Sequence, residues 1–393
     1  MIRSIAAVGD VTDPACWSGT PYHFWKAAAS AGFATKAWQV DLARVRTDRL
    51  LWNAAQAMRF RQPGGFQYSS RFLDLIESRL PATDWTEEII TMNQHFPRTS
   101  KVRERGGKLS HYLDAPFSAL AAGQGLVLDL PSEIMEHAIA QERENFEGSA
   151  CIVTMARWAA EAIRRDGGVP TEKVHVILPG ANLDLPDDWN FPALQGVAGR
   201  ERDFTLGFIG KDWQRKGLPL LIDVRDELEQ RGWRVRLLAA GGAPRDLKGR
   251  RGLEFAGFID KISNRARFLE FLSRCDVGCL FSRHEALGIS TLEFLRAGVP
   301  VAGYEHEGMA DTIPPDAGFR FGTGASVEEI ADRFDEYLRE GLQQENFRAN
   351  ARRWSDLVTW DRCVREFQEL RSTGEVANPI QPWANLPVSP PSP

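Results

Sequence analysis

The sequence predicts an α/β protein of two domains with parallel sheets. Three observations carry this. Short β-branched or apolar runs alternate with longer helical stretches from one end to the other. A chain of 393 residues is too long for one ordinary core and suits two. Near its midpoint the segment 181–203, "ANLDLPDDWNFPALQGVAGRERD", is rich in Pro, Gly and Asp and lacks periodicity, as a linker would. Two such domains would face each other across a cleft at the carboxyl ends of their strands, where open α/β sheets take ligands.

The strand candidates of the first half are "SIAAVG", "EIITM", "KLSHYL", "CIVTM" and "VHVIL". Between them "SSRFLDLIESRL" and "EIMEHAIAQERENF" read as helices. In the second half "TLGFIG", "RVRLLAAGG", "LEFAGF", "CDVGCLF" and "VPVAGY" read as strands. "LPLLIDVRDELEQRG" and "STLEFLRAG" read as helices stopped by Gly. In "TWDRCVREFQEL" the apolar residues Trp360, Cys363, Val364, Phe367 and Leu370 recur at three-and-four spacing, which predicts an amphipathic helix. Beyond it, prolines crowd "NPIQPWANLPVSPPSP", so an extended or disordered tail is expected over 373–393. The boundaries that follow are 1–185, a linker at 186–203, 204–352, and a terminal helix at 353–372.

Composition sets limits on function. With 43% hydrophobic and 26% charged residues the chain has ample core material, and a net charge of −5 argues against a dedicated nucleic-acid binder. The 12 tryptophans suit large cores, and some could stack on sugars or bases. Cys16, Cys151, Cys275, Cys279 and Cys363 are scattered, do not form half of a zinc site, and read as reduced thiols of a cytoplasmic protein. The N-terminus "MIRSIAAVGD" is too short for a signal peptide, and no run of about 18 apolar residues occurs.

Two stretches carry the chemistry. In "FIGKDWQRKG" a strand ends at Gly210 and a helix starts after Gly217, with Lys211, Arg215 and Lys216 between them. Cations beside the free amides of a helix start form a natural phosphate site; three solvated surface cations are the plainer reading. In "SRHEALGISTLEFLRAGVPV" Glu285 lies in a loop and Glu293 just inside a helix, seven residues intervening. "STLE" also fits a capping box with Ser290 as N-cap and Glu293 reaching back to it, so Glu293 is a cap or a ligand on this evidence. Glu285 is harder to explain as a bystander, because a carboxylate beside an anion site is awkward unless something there requires it.

These stretches, with "LLAAGGAP", "FAGFID" and "GMADTI", occur in the order of the second domain of retaining glycosyltransferases of GT-B fold. The chain most resembles glycosyltransferase family 4, whose hallmark is Glu, seven residues, Glu. "WSGTPYHF" and "HVILPGANLD" extend the resemblance to the first half. The resemblance implies two Rossmann-like domains, an acceptor domain first and a nucleotide-sugar domain second, with the terminal helix crossing back to the first. It implies that Lys216 binds the donor diphosphate, aided by Lys211 or Arg215, where the family usually has Arg at position 211. Glu285 would face the transferred sugar and Glu293 the ribose. Leu287, Gly288 and Ile289 would offer backbone amides to the diphosphate, Phe258 and Ile259 would hold the base, and Gly19 would let the first domain's backbone approach the phosphate.

Many relatives place a His at the end of a mid-domain strand near the acceptor. Here "LSHYLDAPF" offers His111 within the strand and Asp114 at its end; Asp114 is the expected equivalent, although "DAP" is also a good turn. The implied activity is hexose transfer from a nucleotide sugar to a glycan, lipid-linked or small-molecule acceptor, as in cell-envelope or exopolysaccharide synthesis, without metal or cofactor. A sugar-nucleotide epimerase and a catalytically silent binding homologue are the alternatives. The basic run "PRTSKVRERGGK" (97–108) is either a solvated loop or a contact for an anionic membrane or lipid phosphate. The second reading would make the protein peripheral at the inner face of the cell membrane.

Overall fold

The computed structural model describes residues 2–122, 130–166, 168–191, 203–242 and 249–376. They form two compact units, one running up to Leu178 and completed by Trp360–Val376, the other spanning Pro179–Thr359. Residues 192–202 of the expected linker and the tail from 377 lie outside the described residues.

Each unit is built on a six-stranded parallel sheet. In the first, β1 (Arg3–Ala6), β2 (Lys36–Ala37), β3 (Glu88–Thr91), β4 (Lys108–Leu113), β5 (Cys151–Thr154) and β6 (Val174–Val176) stand in the order β2-β1-β3-β4-β5-β6. In the second, β7 (Phe204–Gly210), β8 (Val235–Gly241), β9 (Leu253–Gly257), β10 (Val277–Leu280), β11 (Val301–Tyr304) and β12 (Gly318–Phe321) stand in the order β12-β11-β10-β7-β8-β9. Strands β3, β5, β10 and β11 are buried throughout, as parallel strands covered on both faces must be. That is why they read as unbroken apolar runs.

All ten expected strands form. The edge strands β2 and β12 were not expected. The first is a two-residue pairing with no apolar run, and the second alternates Phe319 and Phe321 with Arg320 in a stretch too short to announce itself.

The predicted terminal helix spans Trp360–Thr373 and belongs to the first unit. Its apolar stripe faces inward: the Phe367 ring lies 5.3 Å from that of Phe24 and 4.9 Å from that of Tyr112. Arg362 donates to the Leu178 carbonyl at 2.6 Å, tying the helix to the end of the first unit's main segment.

In both sheets the strand order reverses beside the first strand of the unit, between β1 and β3 and between β7 and β10. Loops leaving the two adjacent strands diverge there and open a crevice at the carboxyl ends. Lys211, Arg215, Lys216 and Glu285 sit on those loops, and Glu293 sits on the helix that follows the second of them.

Candidate active site

The reversal point of the second sheet is closely packed. Gly207 of β7 pairs with Gly278 of β10, and Phe294 lies across both. A Cβ on Gly207 would come within 2.9 Å of that ring, and one on Gly278 closer still. Two glycines side by side thus make a seat for Phe294, and Phe294 fixes the helix Ile289–Arg296 over the two strands. Glu293, its neighbour in sequence, is thereby carried into the interior.

The loops after β7 and β10 are stitched together. The Arg283 amide donates to the Arg215 carbonyl at 3.0 Å, and Arg215 Nη1 reaches Ser282 Oγ at 3.1 Å and the His284 carbonyl. Gly217, at φ +84°, leaves no room for a side chain against the carbonyl of Phe281. This geometry delivers the cations to Glu285: Lys216 Nζ lies 2.9 Å from Glu285 Oε2, and Arg215 Nη1 lies 3.4 Å from it. Burial alone would raise the Glu285 carboxyl. The charges of Lys216 and Arg215, and their hydrogen bonds, outweigh it and hold the group below the usual carboxylate range. Glu285 is a nearly buried, ionised carboxylate with cations on one side.

Glu293 is fully buried, and the capping-box reading fails. The helix starts one residue earlier than expected, at Ile289, and its N-cap is Gly288 at φ +84°. Glycine has no side chain to cap with, and Ser290 lies buried within the first turn. Glu293 instead pairs through Oε1 with Lys261, while Oε2 has no hydrogen-bond partner among the described residues. Burial dominates and raises its carboxyl, against the opposing pull of Lys261 and then Lys216. An orphaned buried carboxylate oxygen is expensive unless a ligand completes it. The amides of Leu287, Gly288 and Ile289 likewise donate to no acceptor among the described residues, so the helix start presents free donors.

The remaining second-unit candidates lie around this centre. Lys211 Nζ sits 5.0 Å from the ring centroid of Phe258, a cation–π contact. Phe258 is 64% exposed and Ile259 only 5%, so of the pair just Phe258 offers its face outward.

Two residues escaped the sequence reading. Lys261, the Glu293 partner, stands three residues beyond Phe258 with no motif around it. Glu307, in the loop after β11, accepts from the Glu285 backbone amide at 2.6 Å and sits 3.2 Å from His284 Nδ1 and 3.6 Å from His306 Nδ1. It does so from a left-handed backbone, φ +46°, that L-residues adopt only at a cost. Nothing in "YEHEGMADT" announces that; only the Gly after it hints at a tight loop.

The first unit's candidates are spread over its own carboxyl edge. Gly19, at φ +91°, closes the turn Cys16–Gly19 after β1 and precedes the helix Thr20–Ser30. Asp114 follows β4 directly and is half-buried, its Oδ1 accepting from the Ala115 amide at 2.8 Å. His111 is a core residue: it is fully buried, edge-on to Phe146, with Nδ1 3.2 Å from the Asn93 carbonyl, and burial lowers its imidazole to about 3. The basic run holds the short helix Thr99–Glu104, and much of its charge is engaged. Arg98 binds Glu77 and Asp74, Lys101 binds Glu104, and Arg105 lies 4.1 Å over the Trp85 ring.

This arrangement has relatives. Residues 194–354 match the family described as "Glycosyl transferases group 1". A glycogen synthase of Deinococcus deserti is 29% identical over 182 residues, 45% of this chain and 40% of the relative. A D-inositol 3-phosphate glycosyltransferase of Xylanimonas cellulosilytica is 26% identical over 256 residues, 61% of each. The chain therefore spans less than two thirds of these relatives' length. Among solved structures, the sucrose-phosphate synthase (tll1590) of Thermosynechococcus elongatus superposes with a TM-score of 0.65 at 14% identity, covering 94% of this chain and 98% of that one. Anabaena Alr3699/HepE, solved with UDP and glucose, gives 0.64 at 15% identity, covering 95% and 100%. At such identities the likeness is one of fold, and that fold is GT-B. The chain is similar to group 1 glycosyl transferases through its second unit and shares their architecture along most of its length.

Proposed function

We propose that the protein is a retaining glycosyltransferase that moves a hexose from a nucleotide-sugar donor to a glycan, lipid-linked or small-molecule acceptor. The observation that carries this is the contact of Lys216 with Glu285 at the reversal point of the second sheet, beside the free amides of Leu287, Gly288 and Ile289. The names of the curated relatives, a glycogen synthase and an inositol-phosphate glycosyltransferase, point the same way.

Cleaving the anomeric bond of a nucleotide sugar builds negative charge on the diphosphate and positive charge on the ring. Lys216 and the helix-start amides would stabilise the first. Glu285, kept ionised, would orient the sugar and offset the second. The unpartnered Oε2 of Glu293 suits a ribose hydroxyl, and the exposed Phe258 suits the face of a base. Same-face attack, with a leaving phosphate oxygen taking the acceptor proton, needs no covalent intermediate on Glu285. Asp114 is the carboxylate proposed to act from the first unit.

The test is turnover of UDP-, GDP- and ADP-glucose with and without a sugar acceptor, alongside thermal shift with the three diphosphates. Product formed only with acceptor supports transfer. Conversion of the donor sugar without acceptor indicates an epimerase, and diphosphate binding with no turnover of any donor indicates a silent homologue.

A further inference from the structure

The first unit carries a cavity that none of these assignments uses. It holds about 510 Å³, within the range of small-molecule sites, and opens between the loops after β1 and β2. Asp10, Asp13, Cys16 and Trp17 line it from the first loop, Gln39 and Asp41 from the second.

Its walls are chemically uneven. Trp17 is 42% exposed, with its indole N–H tied to the Val8 carbonyl at 3.2 Å. Trp17 and the next residue, Ser18, are both left-handed, at φ +47° and +59°, an arrangement that turns a large apolar ring outward instead of packing it. The carboxylates of Asp10 and Asp13 line the same cavity as that ring. Asp10 Oδ1 accepts from Thr12, and Asp13 Oδ1 from the Ala15 amide, and the second oxygen of each accepts no hydrogen bond among the described residues. Asp41 is paired with Arg44, but no cation pairs with Asp10 or Asp13 among the described residues. Their field reaches the cavity wall: the Cys16 thiol is pushed up to about 11, first by burial and then by Asp13 and Asp10. The turn that carries Cys16 and Trp17 ends at Gly19.

We propose that this cavity is the acceptor subsite and that it takes an uncharged, hydroxyl-rich ring, a sugar or cyclitol, in preference to a phosphorylated one. The inference rests on the glycosyltransferase reading above. An aromatic face that shares its cavity with carboxylates is suited to such a ring: its C–H face lies on the indole and its hydroxyls donate to Asp10 and Asp13. The same unpaired carboxylates repel a phosphate monoester. Selection against the charged analogue is thus built in by repulsion as well as attraction.

The experiment uses the full chain with UDP-, GDP- and ADP-glucose and two acceptor pairs: glucose against glucose 6-phosphate, and myo-inositol against D-inositol 3-phosphate. Specificity for the neutral member should exceed that for the phosphorylated one by about tenfold or more in kcat/KM. Asp10→Asn with Asp13→Asn, which keeps the Oδ1 hydrogen bonds, should shrink that ratio at least about fivefold, and Trp17→Ala should raise KM for the neutral ring. Preference for the phosphorylated members, a ratio unmoved by the double substitution, or donor hydrolysis with no acceptor used overturns the subsite while leaving the donor reading intact. If the wild-type chain neither hydrolyses these donors nor binds their diphosphates, the donor reading fails, and the subsite with it.

Discussion

The two units share a sheet design yet spend their buried carboxylates in opposite ways. In the second, Glu285 faces Lys216 and Arg215, and these cations hold it ionised at the crevice. In the first, Glu142 is more deeply buried and is used inside the fold, accepting from the Phe117 and Ser118 amides at the start of the helix Phe117–Ala122. No cation pairs with it among the described residues, and burial pushes it up to about 7. If Glu285 faces the donor sugar as proposed, its charge is kept ready by partners that a ligand can replace. A charge that serves the fold is satisfied by backbone and need not survive as an anion.

The sharpest way to break this comparison is Glu285→Ala. Transfer should fall by about a thousandfold, on the scale of losing a transition-state contact in a dry site. The fold should persist with a modestly lower melting temperature, because Lys216 and Arg215 lose the carboxylate they share. Activity within a few-fold of wild type would mean that Glu285 only neutralises its cations. Its depressed pKa gives a pH signature: the stability it contributes is present above about pH 4.5 and is lost as pH falls through its lower folded value.

The contrast also explains what could be read from sequence. The interior strands β3, β5, β10 and β11 were legible because coverage on both faces forces apolar runs, whereas the two-residue edge strand β2 has no such demand. The proposed phosphate contact likewise has a local mark: Lys216 follows a strand at a glycine-bounded turn, and Glu285 precedes a helix start. Glu293 was ambiguous because "STLE" satisfies two rules, and only the seat made by Gly207 and Gly278 for Phe294 decides which face it turns inward. Lys261 and Glu307 act through loops whose meeting is set by strand order, which no local window contains. The first unit offers less because the acceptor contacts proposed for it, Asp10 and Trp17, are common side chains on loops of free spacing.

Glu142 should titrate in the opposite sense to Glu285. Its carboxyl is raised above the unfolded value of 4.5, so protonation is favoured by folding. The stability it contributes is complete below pH 4.5 and is lost as pH rises through about 7. The loss should be at most about 3 kcal/mol. Glu142→Gln should flatten the dependence of the first unit's stability between pH 5 and 8, read by hydrogen exchange at the Phe117 and Ser118 amides. An unchanged profile would place the titration elsewhere and remove the contrast with Glu285.

Lys216→Ala should weaken binding of the nucleoside diphosphate by about thirtyfold, or roughly 2 kcal/mol, as expected for losing a charged contact. Calorimetry on wild type and variant would measure it. Unchanged affinity would assign the phosphate to Lys211 or Arg215 and leave Lys216 as a counter-charge for Glu285 alone.

The smallest effect expected is at Glu307, and it tests whether the backbone under Glu285 is as tuned as its side chain. Glu307→Gly suits the φ of +46° and removes only the carboxylate that holds the Glu285 amide. The Glu285 carboxylate then keeps its cations but loses the anchor of its main chain, so positioning suffers more than charge. The expected result is a fall in kcat of about fivefold with KM for the donor nearly unchanged, since small displacements at a reacting centre cost rate before they cost binding. Glu307→Gln retains an oxygen that can accept from the same amide and should recover at least half of the loss. If both variants lower the melting temperature alike and neither lowers kcat, Glu307 merely braces its loop, and the orientation of Glu285 is set by Lys216 and Arg215 alone.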